Sequence, residues 1–125
     1  MTNQKIKILY IDDEPVNLLL FERMFEGFYD VITAESGSQG VLILEKSSDI
    51  QVVISDMKMP IMNGLEFITK VRPMYPDIHY YLLSGYELTP EIQNSLSDGL
   101  ILKYFQKPFL TEEIDNVIKE TLLEG

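Results

Sequence analysis

The chain has 125 residues, which suits one compact domain and leaves no room for a second of ordinary size. Apolar residues make up 46% and charged residues 24%, which excludes a disordered or fibrous chain, and the absence of cysteine excludes disulfides, thiolate metal sites and a cysteine nucleophile. Twenty acidic against ten basic residues give a net charge of −10, which excludes a basic face for nucleic acid or anionic lipid.

Short apolar runs alternate with segments of helical period along the whole chain. The runs predict five strands, at Ile6–Ile11, Asp30–Ala34, Gln51–Ser55, Ile78–Leu83 and Ile101–Phe105. The other segments predict five helices: one that begins at Pro15, one capped by Ser36 that runs to about Lys46, one that follows Asn63-Gly64 and ends before Pro73, one opened by Thr89-Pro90 and one capped by Thr111.

Apolar residues at helical spacing indicate the buried faces of these helices. In the first helix this set comprises Val16, Leu19, Leu20, Phe21, Met24 and Phe25. In the second helix Val41, Leu42 and Leu44 are predicted to face inward.

Strands that alternate with helices imply right-handed crossovers and a parallel sheet. The predicted fold is α/β, a flavodoxin-like doubly wound three-layer sandwich with strand order 2-1-3-4-5. Ligands of such sheets bind at the carboxyl ends of the strands, beside the point where the strand order reverses. Here that point lies between the first and third strands, so the residues that follow Ile11 and Ser55 are the first candidates for a site.

Acidic residues occupy both of these positions. Asp12, Asp13 and Glu14 follow the first strand, and Asp56 follows the third. Converging carboxylates repel one another and favour a counter-ion, and hard oxygen ligands at a partly open site suit Mg²⁺. A single aspartate at a strand end is more often a helix cap, and one acid before Pro15 is open to that role, but capping explains neither Asp56 nor the pair.

Two further strand ends add a hydroxyl and an ammonium group. Ser84 follows the fourth strand, and Lys107 follows the fifth, with Pro108 fixing the chain after it. A cation, an ammonium and a hydroxyl can each hold one oxygen of a phosphoryl group while a carboxylate attacks in line. The residues themselves therefore point to phosphoryl transfer onto an aspartate.

The chain resembles the receiver domain of two-component response regulators, the CheY-like superfamily, from Lys5 to Leu123. Each matching stretch alone is weak, but all four occur in order and each lies at a strand end. They are Ile11-Asp12-Asp13-Glu14, Ser55-Asp56-Met57-Lys58-Met59-Pro60-Ile61-Met62-Asn63-Gly64, Leu83-Ser84-Gly85 and Lys107-Pro108-Phe109.

The resemblance implies a phosphoacceptor with a metal site. Asp56 would take the phosphoryl group from the phosphohistidine of a partner. Asp13 and the backbone carbonyl of Lys58 would bind Mg²⁺, or Mn²⁺, together with Asp56, and Asp12 would act through metal-bound water. The catalytic set would be completed by Ser84, which hydrogen-bonds the phosphoryl group, and by Lys107, which pairs with it.

The resemblance also implies a conformational switch. Ser84 and Tyr104 would reposition on phosphorylation and change the surface of the fourth helix, fifth strand and fifth helix. Pro60 and Gly64 would shape the loop after the acceptor. Most receivers have threonine where Ser84 stands, and serine keeps the hydroxyl.

Two variable positions of the family are expected to tune the lifetime of the phosphoryl group. They are occupied here by Lys58, two residues beyond the acceptor, and Tyr86, two beyond Ser84. A cation and an aromatic ring at these positions would shield an acyl phosphate.

The partners implied by the resemblance are a histidine kinase or phosphotransfer protein and an output domain or effector protein. Homodimerisation on phosphorylation is compatible with it. The chain would be a single receiver domain over residues 1–125 that phosphorylates itself from a donor and is not a turnover enzyme. Two stretches, Leu82–Tyr86 and Gly99–Tyr104, resemble receivers that precede enzymatic output modules, so the sequence is compatible both with a stand-alone regulator and with the N-terminal piece of a longer protein.

No segment approaches the ~18 apolar residues of a membrane span, and the N-terminus lacks the apolar core of a signal peptide. We therefore expect a cytoplasmic domain that binds neither membrane nor nucleic acid directly.

Three alternative functions fit these residues less well. A flavodoxin-like electron carrier needs a phosphate-binding loop after the first strand, where Asp12, Asp13 and Glu14 would repel a flavin phosphate. An aspartyl-phosphate hydrolase needs two acids on one face of a strand end, whereas adjacent aspartates point to opposite faces. A degenerate receiver that serves only as a docking module is disfavoured because all five site residues are present.

Overall fold

The structure, a computed structural model, describes residues 5–85 and 88–123. Strands and helices alternate strictly along this part of the chain. In order they are β1 (Lys7–Ile11), α1 (Pro15–Met24), β2 (Asp30–Ala34), α2 (Gly37–Lys46), β3 (Val52–Asp56), α3 (Gly64–Val71), β4 (His79–Ser84), α4 (Pro90–Ser97), β5 (Lys103–Gln106) and α5 (Thr111–Leu123).

The five strands form one parallel sheet in the order β2-β1-β3-β4-β5, which confirms the predicted topology. In the register of the sheet, Ile11 lies opposite Ser55, and Asp56 lies opposite Leu83. The carboxyl ends of β1, β3, β4 and β5 therefore meet along one edge. The candidate site predicted from the sequence lies at this edge.

Each face of the sheet carries its own apolar core. On one face, Leu9, Val53 and Leu82 pack against α2, α3 and α4. On the other face, Tyr10 and Tyr81 are among the strand residues that pack against α1 and α5. All five residues of β3 are buried, as expected for a central strand that is covered on both sides.

Helix caps explain where several helices begin. Ser36 Oγ accepts a hydrogen bond from the Gln39 amide at 3.1 Å, as predicted. Asn63 and Glu66 form a reciprocal capping box at the start of α3, with both bonds at 2.8 Å. Thr111, predicted as the cap of α5, is instead the first residue of that helix.

The predicted face of α1 was partly wrong. Leu19 and Leu20 are 50% and 56% exposed, and Val16 is exposed as well, whereas Leu18 and Phe21 are buried. Nearly every side of this helix carries an apolar residue, so spacing alone does not distinguish the buried stripe. Leu42 in α2, also predicted to face inward, is exposed.

Two phenol groups tie α5 to the rest of the fold. The hydroxyl of Tyr29, in the loop between α1 and β2, donates a hydrogen bond to Asp115, which also pairs with Lys119 at 3.1 Å. The hydroxyl of Tyr81, in β4, shares a hydrogen bond with Thr121. In the part of the chain that the structure describes, no helix is long and apolar enough to cross a membrane.

Candidate functional site

Three carboxylates converge at the point where the strand order reverses. Asp12 and Asp13 follow β1 directly, and Asp56 is the last residue of β3. One carboxylate oxygen from each lies within 4.8 Å of the others. Asp12 and Asp56 are buried, and Asp13 is half-buried.

The ammonium group of Lys107 faces this cluster. Its Nζ lies 2.9 Å from Asp56 Oδ1 and 3.4 Å from Asp12 Oδ2. The backbone amide of Lys107 donates to the Ser84 carbonyl at 2.7 Å, which fixes this residue against the end of β4, and its peptide bond to Pro108 is cis. Three carboxylates against one ammonium leave an excess of negative charge that favours a cation.

Asp12 is completely buried and its two oxygens accept hydrogen bonds from the protein. Oδ2 accepts from the Tyr10 hydroxyl at 2.7 Å, and Oδ1 accepts from the Glu14 amide at 3.0 Å. These donors offset part of the cost of burying a carboxylate. Glu14, at the N-cap position of α1, makes no capping hydrogen bond through its side chain, so Glu14 is not a side-chain cap of this helix.

Burial and neighbouring charges shift the ionisation of the site. Burial raises the pKa of Asp56, and the charges of Asp12 and Asp13 raise it further, against the lowering effect of the hydrogen bond from Lys107. Burial alone would lower the pKa of Lys107, but the hydrogen bond and charge of Asp56, with the charge of Asp12, raise it above its ordinary value. Lys107 therefore stays positively charged at neutral pH.

Burial, reinforced by the hydrogen bond to Asp12, raises the pKa of Tyr10 well above its ordinary value. The phenol consequently stays protonated and acts as a donor to the carboxylate. This contact was not predicted from the sequence. The available signal was position, because residues two apart on a strand share a face and Tyr10 precedes Asp12 by two.

The loop after β3 approaches the acidic cluster closely. A Cβ atom at Gly64 would lie 2.4 Å from the backbone oxygen of Asp56, so only glycine fits there. The Gly64 amide donates to the Met57 carbonyl at 2.9 Å, which closes the loop. Pro60 is exposed in this loop, and the next residue, Ile61, is fully exposed with a φ of 69°, a conformation that side chains with a branched Cβ disfavour.

The remaining predicted site residues lie around this cluster. Ser84 is buried as the last residue of β4, and Tyr104 is half-buried in β5, opposite Leu82, against the core that α2, α3 and α4 cover.

Lys58 is exposed. An open cleft of about 660 Å³ has Lys58 and Lys107 among the residues that line it, together with Asp13, Asp56, Pro60 and Gly85. Tyr86 lies outside the described residues.

The donor set fits a small hard cation. Carboxylate oxygens are the ligands that Mg²⁺ and Mn²⁺ prefer in proteins, and Mg²⁺ is usually held by one or two of them with water completing the shell. Asp13 and Asp56 are available for direct contact on the open side, whereas Asp12 is enclosed by its hydrogen-bond donors.

Comparison with known proteins identifies a family. The response regulator receiver domain family matches residues 8–119. The chain is 32% identical over 117 residues to the sporulation initiation phosphotransferase F of Bacillus subtilis, and the alignment covers 93% of each chain. It is 30% identical over 124 residues to a chemotaxis protein CheY homolog of Campylobacter jejuni, covering 96% of this chain and 95% of that one.

Solved structures agree with this result. The response regulator protein TrrA of Thermotoga maritima, solved in complex with Mg²⁺–BeF, superposes with a TM-score of 0.79 at 29% identity and covers 94% of this chain and 99% of that one. The chain also spans between 24% and 28% of the length of several curated transcriptional regulatory proteins that it matches. A match over nearly the whole described fold, by sequence and by structure, shows that the chain belongs to the response regulator receiver domain family.

Proposed function

We propose that this receiver domain accepts a phosphoryl group on Asp56 from the phosphohistidine of a histidine kinase or phosphotransfer protein. The observation that carries this proposal is the geometry around one carboxylate. Lys107 Nζ lies 2.9 Å from Asp56 Oδ1, and the carboxylates of Asp12 and Asp13 lie within 4.8 Å of Asp56 on the open edge of the sheet.

The chemistry needs one nucleophile and positive charge around it. An oxygen of Asp56 attacks the phosphorus, a P–O bond forms, and the P–N bond breaks with its electron pair going to the imidazole of the donor. Lys107, held by its backbone bond to Ser84, is placed to stabilise negative charge on the phosphoryl oxygens. The Ser84 hydroxyl is the further candidate donor to those oxygens.

Asp13, Asp56 and the Lys58 backbone carbonyl are the groups that would hold Mg²⁺. When bound, the ion supplies positive charge that offsets both the clustered carboxylates and the incoming phosphoryl group. Asp12, which already accepts hydrogen bonds on both oxygens, would act indirectly. TrrA, which has the same fold, was solved in complex with Mg²⁺–BeF, and this supports the proposal that Mg²⁺ binds to this chain.

The switch would pass from Ser84 to Tyr104 and the surface of α4, β5 and α5. The support is the connection between these elements: the end of β4 bonds to the Lys107 amide, and Leu82 of β4 lies opposite Tyr104 of β5. A movement at Ser84 is therefore coupled to the end of β5. An output domain or effector would read the altered surface.

Lys58 and Tyr86 are proposed to set the lifetime of the phosphoryl group. Lys58 is exposed in the cleft beside Asp56, which supports shielding of the acyl phosphate from water. Unchanged decay of the phosphorylated protein in both Lys58→Ala and Tyr86→Ala would refute this part of the proposal.

Intact-mass spectrometry tests the central proposal. The protein is incubated with acetyl phosphate, with and without Mg²⁺, beside an Asp56→Asn control. A metal-dependent gain of one phosphoryl mass that the variant lacks is the expected result. If the wild-type protein gains no mass under any condition, Asp56 is not a phosphoacceptor and the domain acts through docking alone.

A further inference from the structure

Lys107 is shared unequally between two carboxylates. Its ammonium nitrogen is 2.9 Å from Asp56 Oδ1 and 3.4 Å from Asp12 Oδ2. Asp12 is fully buried and fixed, so it competes directly with Asp56 for the ammonium group of Lys107. The position of the ammonium group between the two carboxylates decides how strongly its positive charge acts on Asp56.

The Tyr10 hydroxyl acts on this competition. It donates to Asp12 Oδ2 at 2.7 Å, and Oδ2 is the same oxygen that faces Lys107. A hydrogen bond from a neutral phenol withdraws charge from that oxygen and occupies space beside it, so the oxygen attracts the ammonium group less strongly.

Packing fixes the phenol in this position. The Tyr10 ring is 1% exposed and stacks on the ring of Phe21 in α1, with centroids 4.0 Å apart and planes 10° apart. Phe21 in turn packs against Phe25 and Phe109. The hydroxyl is held at the end of a rigid aromatic stack and cannot leave Asp12 without disturbing the core between the sheet and α1.

We propose that Tyr10 is a positioning residue for phosphoryl transfer: its hydroxyl occupies Asp12 Oδ2 and thereby keeps the Lys107 ammonium group on Asp56. This inference rests on the proposed function, because it concerns the rate at which Asp56 accepts a phosphoryl group. Tyr10 itself touches neither the donor nor the reacting oxygen.

Tyr10→Phe removes the hydroxyl and keeps the ring and its stacking. Lys107 should then shift toward Asp12, and the rate of phosphorylation by acetyl phosphate at saturating Mg²⁺ should fall about tenfold, the factor associated with one hydrogen bond to a charged group. The affinity for Mg²⁺, measured by calorimetry in the absence of a phosphoryl donor, should equal or exceed that of the wild type, because Asp12 has lost a partner that withdraws charge.

Tyr29→Phe is the matched control. It removes another buried phenol hydroxyl from the same aromatic cluster, one that bonds to Asp115 and not to the site, and should change neither quantity. An unchanged rate in Tyr10→Phe would overturn the proposal. So would a parallel loss of rate and Mg²⁺ affinity, which would indicate a distorted site, or an equal loss of rate in Tyr29→Phe.

The wild-type arm separates the two hypotheses. A wild-type protein that accepts no phosphoryl group refutes the proposed function, and the positioning role with it. A wild-type protein that is phosphorylated at the same rate as Tyr10→Phe refutes the positioning role alone.

Discussion

Asp56→Asn should stabilise the protein in the absence of divalent metal. At an effective dielectric constant of about 20, two unit charges 4.8 Å apart repel by about 3.5 kcal/mol, and Asp56 faces two other carboxylates within that distance. Its attraction to Lys107 at 2.9 Å is worth about 6 kcal/mol on the same basis, which is slightly less than the two repulsions together.

Burial of the Asp56 charge adds to this unfavourable balance. Together these effects of the charge should lower the free energy of unfolding by about 1–2 kcal/mol. The asparagine variant removes the charge and keeps the shape. At pH 7 in chelator, its free energy of unfolding should exceed that of the wild type by this amount, a rise in Tm of about 4–8 °C. Urea unfolding and thermal melts measure both quantities.

The gain in stability of Asp56→Asn over the wild type should decrease as the pH falls. Burial, and after it the charges of Asp12 and Asp13, raise the folded-state pKa of Asp56 above its unfolded value of 3.8, so the folded state binds the proton more tightly. The penalty is therefore complete above the folded pKa, shrinks as the pH falls through it, and is absent below 3.8. Asp77→Asn, at an exposed aspartate, is the control and should show no such gain.

A wild-type protein more stable than Asp56→Asn at pH 7 would refute this reasoning. It would show that the attraction of Lys107 for Asp56 exceeds the combined repulsion from Asp12 and Asp13.

Two further predictions concern the same edge of the sheet. Mg²⁺ at ten times its dissociation constant should raise the free energy of unfolding of the wild type by about 1.4 kcal/mol, and thermal melts should show a much smaller effect in Asp13→Asn. Ile61→Asn should stabilise the protein by about 1 kcal/mol in urea unfolding, because asparagine tolerates the positive φ of 69° at this fully exposed position. Leu102→Asn, at an exposed residue whose φ is not positive, should give no such gain, and an equal gain there would contradict the explanation from strain.

The topology and the location of the site could be predicted because each depends on a local signal. The continuous apolar run of β3 marks a strand covered on both faces, and a polar residue directly after such a run must lie at the edge of the sheet. The convergence of Asp12 and Asp56 follows from strand order alone. Their meeting with Lys107 needs only that β5 belongs to the same parallel sheet.

Features that depend on packing between distant elements could not be predicted. Leu19 and Leu20 are as apolar as the buried Leu18, and only the docking of α1 on the sheet distinguishes them. The need for glycine at position 64 arises from the approach of the Asp56 carbonyl, which spacing does not reveal. The positive φ of Ile61 runs against its residue type, so local propensity predicts the wrong conformation there.

The two phenol contacts to α5 have a mechanical consequence. Asp115 is held by a residue of the loop before β2, and Thr121 by a residue of β4, so the helix is attached at two points almost two turns apart. Rotation of α5 about its axis, or sliding along it, would break both directional bonds at once, whereas apolar contacts alone would allow small displacements. A conformational change that reaches this helix must therefore either move it together with the sheet as one body or act only through the rotamers of its exposed side chains.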